Sequence, residues 1–117
     1  MTTTHPRFEV PVDDTGRDLD VGTLLRQMNP ATVLAVSGGR WIPYGFSSVR
    51  FPCGAGFEVL VTLEANDTYT VRRLFKRGTS WFLHGELTNV YAEDVSERVY
   101  FASCFRSYDA DEWQHQG

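Results

Sequence analysis

The chain has 117 residues, 42% of them apolar and 14% aromatic, and a formal net charge of −4 at neutral pH. Its length fits one domain with a core that needs neither disulfides nor metal, and so bulky a composition excludes a disordered chain. The acidic balance is unlike that of a dedicated nucleic-acid binder, whose surface is basic overall. No apolar run approaches the roughly 18 residues of a membrane span, and the first ten residues lack the apolar core of a signal peptide, so the expected location is the cytoplasm.

Residues 1–18 are polar, contain Pro6, Pro11 and Gly16, and show no helical period. They read as a flexible tail in which "RFEVPV" pins itself along a sheet edge, since Pro11 is unsuited to a central strand. A helix is expected from Asp20, because Val21, Leu24, Leu25 and Met28 repeat at helical spacing. Asp20 suits its N-cap, Leu19 can staple onto Leu24, and Asn29-Pro30 ends it. "ATVLAVS" (31–37) is a β-branched run before Gly38-Gly39 and predicts a strand. "RWIPYGF" follows as an irregular or edge segment.

Short strands are then expected at 47–51 and 57–63, the second alternating cleanly, with "EAND" (64–67) as a hairpin loop. Strand 68–77 places Tyr69, Val71, Arg73, Phe75 and Arg77 on one face and Thr70, Arg72, Leu74 and Lys76 on the other. "RGTS" turns the chain into strand 80–91. Strict alternation there groups Trp81, Leu83, Gly85, Leu87 and Tyr91 against Phe82, His84, Glu86, Thr88 and Val90. Residues 95–105 carry strand formers in Val99, Tyr100 and Phe101. They also carry a capping-box pair, Asp94 and Glu97, and helical spacing of Val95, Val99 and Ala102, and the helix is preferred.

The expected architecture is α+β: an antiparallel meander of about five strands with an N-terminal and a C-terminal helix over one face. A small SH3-like barrel is the alternative. One domain spans 19–108, between the N-terminal tail and a C-terminal tail, 109–117, that holds Trp113.

The blocks "NPATVLAVSGGRW", "DTYTVRRLFKRG" and "ERVYFASCFRSYD" together resemble a group of small uncharacterised proteins of actinobacteria and their bacteriophages, over about residues 20 to 112. The resemblance implies a phage accessory protein working in a host cytoplasm and binding a host component. No activity or functional residue is assigned to that group, so none is carried over.

The sequence shows no catalytic constellation, and no enzyme activity and no cofactor is expected. His84 and Glu86 stand two residues apart and would share a strand face with Arg73 close by, which is the arrangement of a general base. An ordinary polar strand face is the preferred reading. His5 and His115 fall in the tails, no His/Cys set has ligand spacing, and the acid pairs Asp13-Asp14 and Asp109-Asp111 read as solvated charge. Cys53 and Cys104 are expected as small buried hydrophobes, with a disulfide as the second reading. "SGGR" (37–40) lacks the phosphate-loop pattern and reads as a tight turn between strands.

Charge is unevenly laid out. Residues 1–20 hold five acids against two arginines and residues 93–117 six against two, while Arg72, Arg73, Lys76 and Arg77 form a basic knot between them. That knot with Trp81, joined by Trp41 and Tyr44, is the expected contact surface for a host protein. Nucleic acid held by the basic hairpin 72–81 is the alternative. Self-association through an uncovered strand edge stays open.

Overall fold

The computed structural model describes residues 7–8, 19–45 and 47–104. The expectations for both tails, the 7–8 pair excepted, lie outside the described residues, as does the side chain of Cys104. The elements in chain order are β1 (Arg7–Phe8), α1 (Val21–Gln27), α2 (Pro30–Ser37), β2 (Ile42–Tyr44), β3 (Ser48–Gly54), β4 (Phe57–Leu63), β5 (Tyr69–Arg77), β6 (Ser80–Val90) and α3 (Val95–Cys104). The sheet order is β1-β6-β5-β4-β3-β2 with every pairing antiparallel. Strands β2 to β6 form the expected meander, and β1 adds two residues at the far edge. The sheet is open, with β1 and β2 as its edges, which removes the barrel alternative.

Helix α1 forms as its sequence requires. The Asp20 side chain accepts from the Gly22 amide at 3.0 Å and from the Thr23 hydroxyl at 2.9 Å. Helix α2 overturns the strand expected at 31–37. Asn29, which closes α1, also caps α2 by accepting from the Ala31 amide, and Pro30 occupies the first turn, where its missing N–H costs nothing. Gly38 ends the helix in the left-handed conformation at φ 65°, its amide reaching back to Leu34. Two good caps outweigh the modest helix penalty of Thr32, Val33 and Val36. "SGGR" is therefore a helix C-cap and not a turn between strands. Residues 95–104 resolve as helix, the Asp94 carbonyl accepting from the Arg98 amide.

The helices lie on one face of the sheet. Leu24, Met28, Val33, Val36, Val95, Val99 and Ala102 meet Val49, Phe51, Val59, Val61, Tyr69, Val71 and Val90 in one core, and Leu19 joins it as the staple. Full burial of a Val or Leu is worth roughly 1.5–3 kcal/mol, whereas a surface ion pair gives under about 1 kcal/mol. The valine-rich layer therefore holds the fold. At its margin the Tyr69 hydroxyl donates to Gln27 Oε1 at 2.6 Å, and burial pushes the phenol's pKa up.

Strand β5 is central and not part of an exposed hairpin: Tyr69, Thr70, Val71, Arg73 and Leu74 are all buried. Strand β6 does not alternate strictly. Its register against β5 shifts between Tyr69 and Val71 and again between Arg73 and Leu74. Each shift inserts one extra β6 residue, a bulge that reverses the side-chain phase beyond it. Leu87 pairs Val71 on the helix side, while Leu83 pairs Leu74 and Trp81 pairs Lys76 on the open side. The face expected to unite Trp81, Leu83 and Leu87 is thus split between the two sides.

Candidate functional site

The open sheet face carries two rows across the strands. Arg50, Leu60, Arg72 and Glu86 form one, and Pro52, Glu58, Leu74 and Leu83 the other. One ion pair joins the two rows and another lies within the first. Arg50 grips Glu58 with two bonds of 2.9 and 2.8 Å, and Arg72 Nε reaches Glu86 at 2.7 Å. Trp81 lies beside them, with the Arg50 guanidinium carbon and the Lys76 ammonium each 5.4 Å from its ring centroid. Cations at that range are attracted to an indole face.

Arg50 and Trp81 belong to strands separated by two others, about 14 Å apart at the usual strand spacing, and Trp81 lies two rows further along the sheet. Their side chains must lean toward each other over β4 and β5. This accounts for Leu60 and Leu74, which are 1% exposed although both face away from the helix-side core. Trp81 and Arg50 act as a roof over a second, small apolar layer.

The basic knot is not one surface. Arg73 is 5% exposed on the helix side, its guanidinium 4.5 Å from the Phe57 ring centroid. Its Nη1 donates to the Ala102 carbonyl at 2.6 Å, in the last turn of α3, where the helix dipole favours a cation. Arg72 is engaged by Glu86, and Lys76 leans on Trp81. Arg77 and Lys76 are the exposed cations of β5. Trp41 and Tyr44 flank Pro43 on the opposite side of the meander and do not join the hairpin. Of the seven expected site residues, Lys76 and Trp81 meet on the open side near the hairpin end, while Arg77 pairs with Ser80 on the helix side.

The strand face expected to hold both His84 and Glu86 is also split. The bulge turns His84 to the helix side, where its ring lies 5.7 Å from Phe57 and 5.6 Å from Phe75. Glu86 stays on the open side with Arg72. Among the described residues no three of His, Cys, Asp and Glu gather as a metal-binding group. Cys53 is half-buried and its thiol donates to the Phe51 carbonyl at 3.3 Å.

A second surface has no counterpart in the sequence reading. Residues 29–39, which include all of α2, carry no charge, and the outward side of the helix exposes Leu34 at 66%. Trp41, at 40%, continues it, whereas Ile42 pairs with Arg50 and belongs to the open face. Leu25, Pro30, Val33, Leu34, Gly39 and Trp41 line a shallow apolar hollow of about 370 Å³. A polar hollow of about 510 Å³ adjoins it between the α1–α2 corner and α3, bordered by Arg26, Glu93, Glu97 and Tyr100. The signal in the sequence was an uncharged run after Asn29-Pro30, but read as a strand it promised a buried segment. Read as a helix of the same composition, it cannot bury every side.

Comparison with protein-family models, curated proteins and solved structures returned no match. Among the described residues no helix is long and apolar enough to cross a membrane.

Proposed function

We propose that this chain is a non-enzymatic protein-binding module whose principal contact surface is the apolar patch of Leu34 and Trp41. One observation carries the reading: an uncharged helix, apolar on all sides, is covered by the protein on one side only. Helices of that composition are normally buried all round, and contiguous exposed apolar area with an aromatic at its centre marks a protein contact. The separation of His84 from Glu86 removes the acid–base pair on which a catalytic reading would stand. The resemblance to small phage proteins supplies the setting, a host component in a bacterial cytoplasm.

The test is affinity capture from an actinobacterial lysate with the wild-type chain, Leu34→Asp and Trp41→Ala, each first shown to be folded by circular dichroism. The expected result is a partner recovered by the wild type and lost from both variants. Recovery of the same partner by Leu34→Asp would exclude the patch.

A further inference from the structure

Helix α3 points at the hairpin end of the sheet and stops before reaching it. The chain leaves β6 at Val90, which pairs with Tyr69, and the last turn of α3 lies at Arg73, whose Nη1 meets the Ala102 carbonyl at 2.6 Å. The helix ends at Cys104, whereas the helix side of the sheet runs on to Arg77 and Ser80. That strip carries Phe57, Phe75, Phe82 and His84, all half-buried. The rings of Phe57 and Phe75 have centroids 4.8 Å apart, and those of Phe75 and His84 5.6 Å. Two exposed arginines border the strip on the same side. Arg77 pairs with Ser80, and Arg7, which pairs with Phe82, donates from Nη2 to Ser80 Oγ at 2.8 Å. From Thr68 to Gly85 the chain holds no acid.

We infer that this strip is the seat of the chain's own acidic C-terminal segment, residues 105–117. The segment begins where α3 ends. From Arg73 to Arg77 the strand advances about 13 Å, and the stretch 105–112 reaches about 27 Å when extended. The segment holds Asp109, Asp111 and Glu112 against Arg106 alone, together with the aromatic residues Phe105, Tyr108 and Trp113. Its carboxylates can meet Arg77 and Arg7 while an aromatic ring packs against Phe75 and Phe82, a ring contact that gains beyond its buried area. The other acidic run, residues 9–18, has no aromatic residue to place on those rings. A separate acidic protein would have to displace a segment tethered beside the strip at a high effective concentration. The surface is distinct from the α2 patch, and the inference does not depend on that patch.

Hydrogen exchange of the full chain, read by mass spectrometry, tests the assignment, and the amides of β4 and β5 report whether each variant is folded. Amides of the 105–117 segment are expected to exchange at least about tenfold slower than those of an unstructured peptide of the same sequence. Arg7→Glu with Arg77→Glu should return them to the peptide's rate, and adding Asp111→Arg with Glu112→Arg to that pair should restore the protection. Proton NOEs should join a ring of Phe105, Tyr108 or Trp113 to Phe75 or Phe82. Exchange at the peptide's rate in the wild type, protection that survives the charge reversal, or a swap that restores nothing would each overturn the assignment. So would protection that vanishes on dilution, as contact with a second copy would, or NOEs to Leu34 and Trp41 instead. Leu34→Asp should leave the protection unchanged, so this contact and lysate capture by the α2 patch fail or succeed separately.

Discussion

Arg72 and Arg73 are adjacent in sequence and opposite in fate. Arg72 lies on the open face, partly exposed, in an ion pair with Glu86. Arg73 is buried against Phe57 and ties its guanidinium to the end of α3. A solvated pair of the first kind is worth under about 1 kcal/mol, whereas removing a buried charged donor leaves its acceptor stranded and costs roughly 2–3 kcal/mol. Arg73→Met should therefore lower the urea midpoint of unfolding far more than Arg72→Met, with the slope of the transition unchanged. Arg73→Lys should not restore it, since an ammonium lacks the planar group that lies over Phe57. Equal midpoints for the two methionine variants would show that Arg73 contributes nothing beyond a surface arginine. The sequence displays the charges of this knot plainly. Which side of the sheet each one takes follows from β-strand alternation in β5, and that much was legible. The bulge at His84, which parts it from Glu86, was not, because it depends on how β6 pairs with β5 and no residue type marks it.

The three helices show how far local signals reach. Helix α1 was legible from its cap and its apolar spacing, since both point to the same answer. Helix α2 has equally good punctuation in Asn29, Pro30 and Gly38, but its β-branched interior pulls toward a strand, and only packing against β3 and α3 decides the contest. The cap of α1 also titrates. The hydrogen bond from the Thr23 hydroxyl, and then that from the Gly22 amide, hold the Asp20 carboxyl below its ordinary value. A carboxylate so depressed stabilises the folded state fully above its unfolded value, near about pH 4, and loses that contribution as pH falls through the folded value. Asp20→Asn keeps an acceptor oxygen at the cap and removes the proton equilibrium. Thermal melts from about pH 6 down to about pH 2.5 should show the asparagine variant gaining on the wild type as acid is added. A difference between the two that stays constant with pH would mean that the charge at this cap has no effect.

At the scale of the whole molecule, the meander was readable because short turns join strands of regular length, and consecutive strands so joined pair with each other. What that reading could not supply was the distribution of function over two faces. The helices cover one face and leave α2 exposed on its outer side, and the other face uses most of its charge within the sheet. Arg50 and Arg72 spend theirs on Glu58 and Glu86, and Arg73 is committed to α3. Among the described residues near the hairpin end, Lys76 on the open side and Arg77 and Arg7 on the helix side are the exposed cations, against a sequence pI near 5.2. Binding to a polyanion strengthens, and its fall with salt steepens, with the number of cations that replace its counterions, so a protein offering few binds weakly from the start. On immobilised heparin the protein should therefore pass through at about 0.1 M salt, where charges beyond about 10 Å are screened, and show at most weak delay below it. Retention that needs several times that salt concentration to reverse would mean that the hairpin presents many more free cations than its internal pairs allow, and would move nucleic acid from the alternative to the leading partner.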